Sequence, residues 1–91
     1  MIPNILTPKF NQPLKNNVIP DSVTQLTFGS NFNQPLVKGL LPFRLQLLTF
    51  GDGFNQPLSE NVLPESLNVL TVEQHFDKLC ILPLGCTVKY G

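Results

Sequence analysis

The pentapeptide Phe10-Asn11-Gln12-Pro13-Leu14 returns unchanged as Phe32-Asn33-Gln34-Pro35-Leu36 and again as Phe54-Asn55-Gln56-Pro57-Leu58, and both intervals are 22 residues. A fixed period of about 20–29 residues marks a solenoid, because a unit of that size cannot bury its own apolar face and becomes stable only against its neighbours. Working outward from the pentapeptide, the chain divides into full units at 10–31, 32–53 and 54–75. A degraded partial unit occupies 1–9 and an atypical partial unit 76–91.

Superposing the units lines up apolar residues in columns. Phe10, Phe32, Phe54 and Phe76 form one; Leu14, Leu36 and Leu58 a second; Ile19, Leu41 and Leu63 a third. Val23, Leu45 and Leu67, then Leu26, Leu48 and Leu70, then Phe28, Phe50 and Val72 complete six. Each column predicts a line of core contacts running through the stack, every side chain meeting its own equivalents above and below.

The short stretches QLTF, LLTF and VLTV alternate with period two and read as one brief strand per coil, paired in parallel between coils. No helix is expected elsewhere, since Pro13, Pro35 and Pro57 and then Pro20, Pro42 and Pro64 punctuate each unit and push the preceding residue out of the α region. Asn17, Gly39 and Asn61 share one column, and Asn31 and Gly53 another that ends in His75. Together with Gly29 and Gly51 these read as corners with left-handed backbone. The fold expected is mainly β and irregular: a right-handed solenoid of 22-residue coils with one short parallel strand each and little helix.

These residues resemble the FNIP repeat, named for a Phe-Asn-(Ile or Gln)-Pro core and abundant in social amoebae and in large DNA viruses that infect amoebae. LPESLNVLTV and the join LTFGDGFNQPL carry the resemblance, which covers residues 10–75. The family is a divergent leucine-rich repeat, and Leu45-x-x-Leu48-x-Phe50 is similar to the LxxLxL half of that larger class. Beyond it the register departs, because Phe54 and Asn55 follow Phe50 by four and five residues where the typical repeat has an Asn or Cys after three. The resemblance implies a non-enzymatic protein-binding module with no cofactor. In this family the repeats often follow an F-box, which implies as an alternative the substrate-recognition part of a larger ubiquitin-ligase adaptor; residues 1–91 contain no F-box.

Composition narrows the function classes further. Six Lys and Arg balance six Asp and Glu, so no net field steers the chain to nucleic acid or an anionic membrane. No apolar run approaches the roughly 18–20 residues that span a bilayer, and MIPNILTPKF lacks the basic start and apolar stretch of a signal peptide. A cytoplasmic location is the expectation.

Candidate chemistry is sparse. Cys80 and Cys86 are separated too unusually for a redox pair or a four-ligand zinc set, and read as ordinary buried or half-buried thiols. His75 falls in a corner column with no nucleophile and orienting carboxylate spaced around it, and Asp21, Asp52, Glu60, Glu65, Glu73 and Asp77 scatter over different coil positions. Neither a metal set nor a catalytic constellation follows, and the chain reads as no enzyme. Asn11, Asn33 and Asn55 are placed to form a hydrogen-bonded ladder between coils, while Gln12, Gln34 and Gln56 either add a second rung or face water.

One feature points to a partner. If Leu48 and Phe50 face inward, the strand's other residues face out as the ladders Gln25-Leu47-Val69, Thr27-Thr49-Thr71 and Gly29-Gly51-Glu73. Leu47 and Val69 would be neighbouring apolar residues on a solvent face, where repeat arrays dock partners. Gln25, Thr27, Leu47, Thr49, Val69 and Thr71 are therefore the candidate partner-binding set, against an unidentified protein. A threonine ladder also suits an ice-binding solenoid, but with one threonine per coil where such faces present two.

Overall fold

The computed structural model of the protein describes residues 11, 12, 14 and 19–91. The expectations for 1–9, Phe10, Pro13 and Asn17 lie outside the described residues. Four strands, β1 (Gln25–Thr27), β2 (Leu47–Thr49), β3 (Val69–Val72) and β4 (Thr87–Tyr90), follow one another in a single parallel sheet of order β1-β2-β3-β4. No helix occurs among the described residues. Register follows the repeat: Leu26 pairs with Leu48 and Leu48 with Leu70, each step 22 residues.

Each coil closes through turns that the sequence dictates. The Leu45 N–H donates to the Pro42 carbonyl at 3.1 Å and Leu67 to Pro64 at 3.0 Å, so proline opens the turn leading into the strand. After the strand, Phe54 closes a turn on the Gly51 carbonyl at 3.2 Å and Phe76 one on Glu73 at 3.0 Å. A third turn runs over 37–40 and 59–62, with Gly39 at φ 89° and Asn61 at φ 66° in the third place, where a type II turn demands positive φ.

The second set of corners has a different cause from the one expected. Gly29, Asn31, Gly51, Gly53 and His75 are turn or turn-flanking residues but none has positive φ. At Gly51 and Gly53 glycine is needed for room. A Cβ on Gly51 would stand 2.7 Å from the Gly29 oxygen and one on Gly53 would strike the Ser30 carbonyl, to which the Gly53 N–H donates at 2.9 Å. The coils approach backbone to backbone at this edge, and the side chain is what has been removed.

The core is the expected columns plus one more. All described members of the six are buried except Phe76, which is half-buried; Phe32, Leu45, Leu58 and Leu70 have no exposed surface. Leu40 and Val62, 22 residues apart, are also buried at 8% and 5% and form a seventh column. No polar or charged residue is buried among those described. Two phenylalanine columns interleave: Phe28 stacks on Phe32 at 4.2 Å and Phe50 on Phe54 at 3.8 Å within coils, while Phe28–Phe50, Phe32–Phe54 and Phe54–Phe76 stack between coils at 5.2–6.1 Å. The three separations between coils fall within the 4.5–7 Å range of favourable ring pairs, with those planes within 10° of parallel.

The last coil contains the strand that the 22-residue period does not reveal. Thr87 pairs with Val69 only 18 residues on. The step is still 22 from Phe54 to Phe76 and from Leu58 to Cys80, whose backbones bridge in parallel. Between Cys80 and Pro83 three residues are missing, so the coil has no counterpart of the turn over 59–62. It keeps the proline turn into the strand, Pro83–Cys86 being the counterpart of Pro64–Leu67, with Gly85 at φ 82°.

Candidate interaction surface

The strand face is assembled by the turn that precedes it. The Thr24 carbonyl accepts from Gln46 N–H at 2.7 Å and Leu47 N–H at 3.0 Å, and the Gln46 carbonyl accepts from Asn68 and Val69 at 2.8 and 3.1 Å. These doubled bonds set each coil's entry into its strand, and with it the register. Leu26, Leu48 and Leu70 then point into the core at 1% exposure or less, and their neighbours point out.

The outward residues stand in two rows. Gln25, Leu47 and Val69 are direct cross-strand partners, as are Thr27, Thr49 and Thr71. Gln25 is exposed, Leu47 is 38% exposed, and Val69 and the three threonines are half-buried by packing along the row. Thus the six residues singled out from the sequence lie together on one face. The fourth strand lengthens both rows with Thr87 and Lys89, the latter opposite Thr71. Sequence reasoning missed these two because the shortened coil shifts them out of the period, although Thr87-Val88-Lys89-Tyr90 alternates like the other strands.

A second ladder lines the adjacent edge. The Asn33 N–H donates to the Asn11 Oδ1 at 2.9 Å and the Asn55 N–H to the Asn33 Oδ1 at 2.9 Å, so each amide fastens the next coil. Gln34 Nε2 reaches the same Asn11 oxygen at 2.9 Å and Gln56 Nε2 reaches that of Asn33 at 3.1 Å, making the glutamines the second rung. The asparagines of this ladder are exposed.

Ionisable groups are few. Glu73, at the end of β3, hydrogen-bonds the Asp52 side chain, which with partial burial and the Asp52 charge raises its carboxyl above the ordinary range; His75 and the Gln74 backbone oppose this. Burial raises the Cys80 thiol above its ordinary value, and the nearby Cys86 adds to it; burial also raises Cys86, offset in part by the Leu70 backbone. Both cysteines are free and half-buried, so they are poor nucleophiles at neutral pH. Among the described residues no three His, Cys, Asp or Glu side chains gather where they could hold a metal, and no helix is long and apolar enough to cross a membrane.

On the coil's turn side, Phe43 is 61% exposed with the Arg44 guanidinium 5.3 Å from its ring centre. Phe43 borders a groove with Leu41, Val62 and Pro64. It is the largest apolar side chain that the second coil presents away from the strand face.

The crystal structure of CroV588, a novel circular LRR protein, matches with a TM-score of 0.84 and 44% identity over 91% of this chain. The chain spans 13% of the length of that protein. No curated protein matches. The family model of the FNIP repeat matches residues 10–53 and 32–74, overlapping by one coil in the manner of a tandem array. With the solenoid, its stacked phenylalanines and its asparagine ladder built on that same repeat, the chain belongs to the FNIP repeat family, as a leucine-rich-repeat-like protein.

Proposed function

We propose that the chain is a protein–protein interaction module whose outward strand face holds the partner. The observation that carries this reading is the cross-strand pair Leu47–Val69: two apolar side chains side by side and accessible to solvent, between rows of threonine and a flanking glutamine. Apolar residues at the centre of a polar surround are the usual anatomy of an interface, where the anchors supply most of the energy and the rim excludes water. Leu47 and Val69 are the anchors; Gln25, Thr27, Thr49 and Thr71 form the surround. The face is rigid, being fixed by backbone pairing on both sides of β2 and β3, so little conformational entropy is lost on binding. Repeat solenoids supply such surfaces in general, and no nucleophile, base and orienting carboxylate come together among the described residues.

The test compares proteins captured from an extract by the wild-type chain, by Leu47→Ser/Val69→Ser and by Phe43→Ser. Loss of an anchor costs about 2 kcal/mol or more of binding. A partner held by wild type and by Phe43→Ser but released by the double variant supports the strand face. A partner that only Phe43→Ser releases moves the site to the turn side.

A further inference from the structure

The second coil departs from its neighbours at the outward places of its two turns. In the third coil Ser59-Glu60 and Glu65-Ser66 fill these places, and in the first Asp21-Ser22 fill the later one. The second coil carries Val37-Lys38 and Phe43-Arg44 instead, each time an apolar residue followed by a cation. The core columns use none of the four. All are exposed, Val37 by 58% and Phe43 by 61%, where the equivalents in the neighbouring coils are polar. This coil is packed on both sides, β2 pairing with β1 and with β3, so the exposure is not that of a stack end.

The later pair replaces a bond that serves the stack. The Ser66 hydroxyl donates to the Leu45 carbonyl at 2.6 Å and ties the third coil to the second. Arg44, in the same column, sets its guanidinium 5.3 Å from the centre of the Phe43 ring instead. Aromatic rings and arginines are the residue types that anchor interfaces, and here the two are held together in advance. The groove beside them is lined from the second coil by Lys38, Leu41 and Phe43 and from the third by Val62, Pro64 and Glu65. Its two lips carry opposite charges: Lys38 and Arg44 on the second coil, Glu60 and Glu65 on the third. Among the described residues neither cation forms an ion pair. A carboxylate is therefore drawn to the second coil and repelled by the third, which aligns an acidic segment along the second coil. A basic segment would be drawn to the third, where the glutamates adjoin Ser59 and Ser66 and no apolar anchor accompanies the charge.

From this charge complementarity we infer that the groove holds a short extended segment of a partner protein in which an apolar or aromatic side chain stands next to a carboxylate. The apolar side chain enters between the Phe43 ring and the Val62 and Pro64 wall, and the carboxylate accepts hydrogen bonds from Arg44 or Lys38. Charge and apolar contact coincide only on the second coil, so the segment is chosen by both at once. The chain thereby has a surface on its turn side that is separate from the strand face, and the inference does not depend on what the strand face binds.

Selection of a phage-displayed library of random decapeptides on the 91-residue chain is the test, with the enriched peptides synthesised and titrated by fluorescence polarisation. Phe43→Glu/Arg44→Ser gives the second coil the residues of the third at these places, and Lys38→Glu does the same at the earlier turn, so both variants are expected to keep the wild-type circular dichroism spectrum. Enriched peptides are expected to carry Asp or Glu beside an aromatic or branched aliphatic residue, and to bind each variant at least about tenfold more weakly than wild type. Added salt is expected to weaken them on the wild-type chain, and Leu47→Ser/Val69→Ser to bind them as wild type does. Peptides that depend on Phe43 and Arg44 but are basic or uncharged, peptides released by the strand-face variant instead, or self-association of the chain that Phe43→Glu/Arg44→Ser abolishes would each overturn the inference. So would a wild-type chain that enriches no peptide beyond those enriched on Phe43→Glu/Arg44→Ser.

Discussion

Phe50 and Phe54 stack face to face, 3.8 Å between ring centres and 11° between planes, across the turn that carries the chain out of β2. One ring belongs to the strand segment and the other opens the next repeat, so the contact locks the end of one sequence unit to the start of the following one. The 22-residue boundary is thus a feature of the sequence, and the packing runs straight through it.

Phe54 sits at the centre of this arrangement, touching Phe50, Phe32 and Phe76, at 3% exposure. Phe54→Ala is expected to destabilise the fold by about 3–5 kcal/mol, the cost of lost burial and a residual cavity. Urea denaturation followed by circular dichroism measures it; a loss under about 1 kcal/mol is incompatible with the stacked columns.

Asn33→Ala removes an acceptor that serves both the Asn55 N–H and the Gln56 amide. Because Asn33 is exposed, water replaces the lost bonds, and the expected cost is about 0.5–1.5 kcal/mol rather than the 1–3 kcal/mol of a buried amide. Hydrogen exchange at the Asn55 amide should accelerate in the variant while that at Leu48 changes only by the global loss.

Most of this architecture is legible in the sequence because a stacked coil repeats each environment at a fixed interval. Columns such as Leu26-Leu48-Leu70 are visible for that reason. Val18, Leu40 and Val62 keep the same 22-residue interval in the sequence, but they abut the Leu41 and Leu63 column, and two adjacent apolar residues do not by themselves say that both are buried. Where the period fails, so does the reading: β4 follows a coil four residues short, and no sequence interval marks Thr87 and Lys89 as members of the strand face. Glycine is ambiguous in a different way. Gly39 and Gly53 look alike in sequence, yet the first satisfies a positive φ and the second a backbone approach, and only three-dimensional proximity separates the two.

Gly51→Ala tests that distinction. No left-handed strain is involved, but the new methyl meets the Gly29 carbonyl and the Ser30 Cα, both backbone atoms of the coil above. Overpacking against backbone costs typically about 1–3 kcal/mol. A Gly51→Ala protein as stable as wild type would show that the coils part freely at this edge.

The carboxyl pair predicts a pH effect of known sign. Glu73 is raised above its ordinary range, first by its hydrogen bond to Asp52, so the folded state favours its protonated form. The associated stabilisation is present below the unfolded pKa and is lost as pH rises through the folded one. Carbon-detected titration should place the Glu73 midpoint above the ordinary glutamate value, and Asp52→Ala should bring it down. A Glu73 midpoint at or below the ordinary glutamate value contradicts the pairing.

The division of each strand into an inward and an outward side underlies the proposed function, and a one-residue slip would reverse it. Thermal unfolding of Leu48→Ala beside Leu47→Ser/Val69→Ser tests it most directly. Leu48 is 1% exposed and Leu47 38%, with Val69 half-buried. Leu48→Ala is expected to lose about 2–5 kcal/mol by opening a cavity, and the double variant no more than about 1 kcal/mol, as for surface changes. A double variant that unfolds while Leu48→Ala melts like wild type would place Leu47 and Val69 in the core and contradict the account.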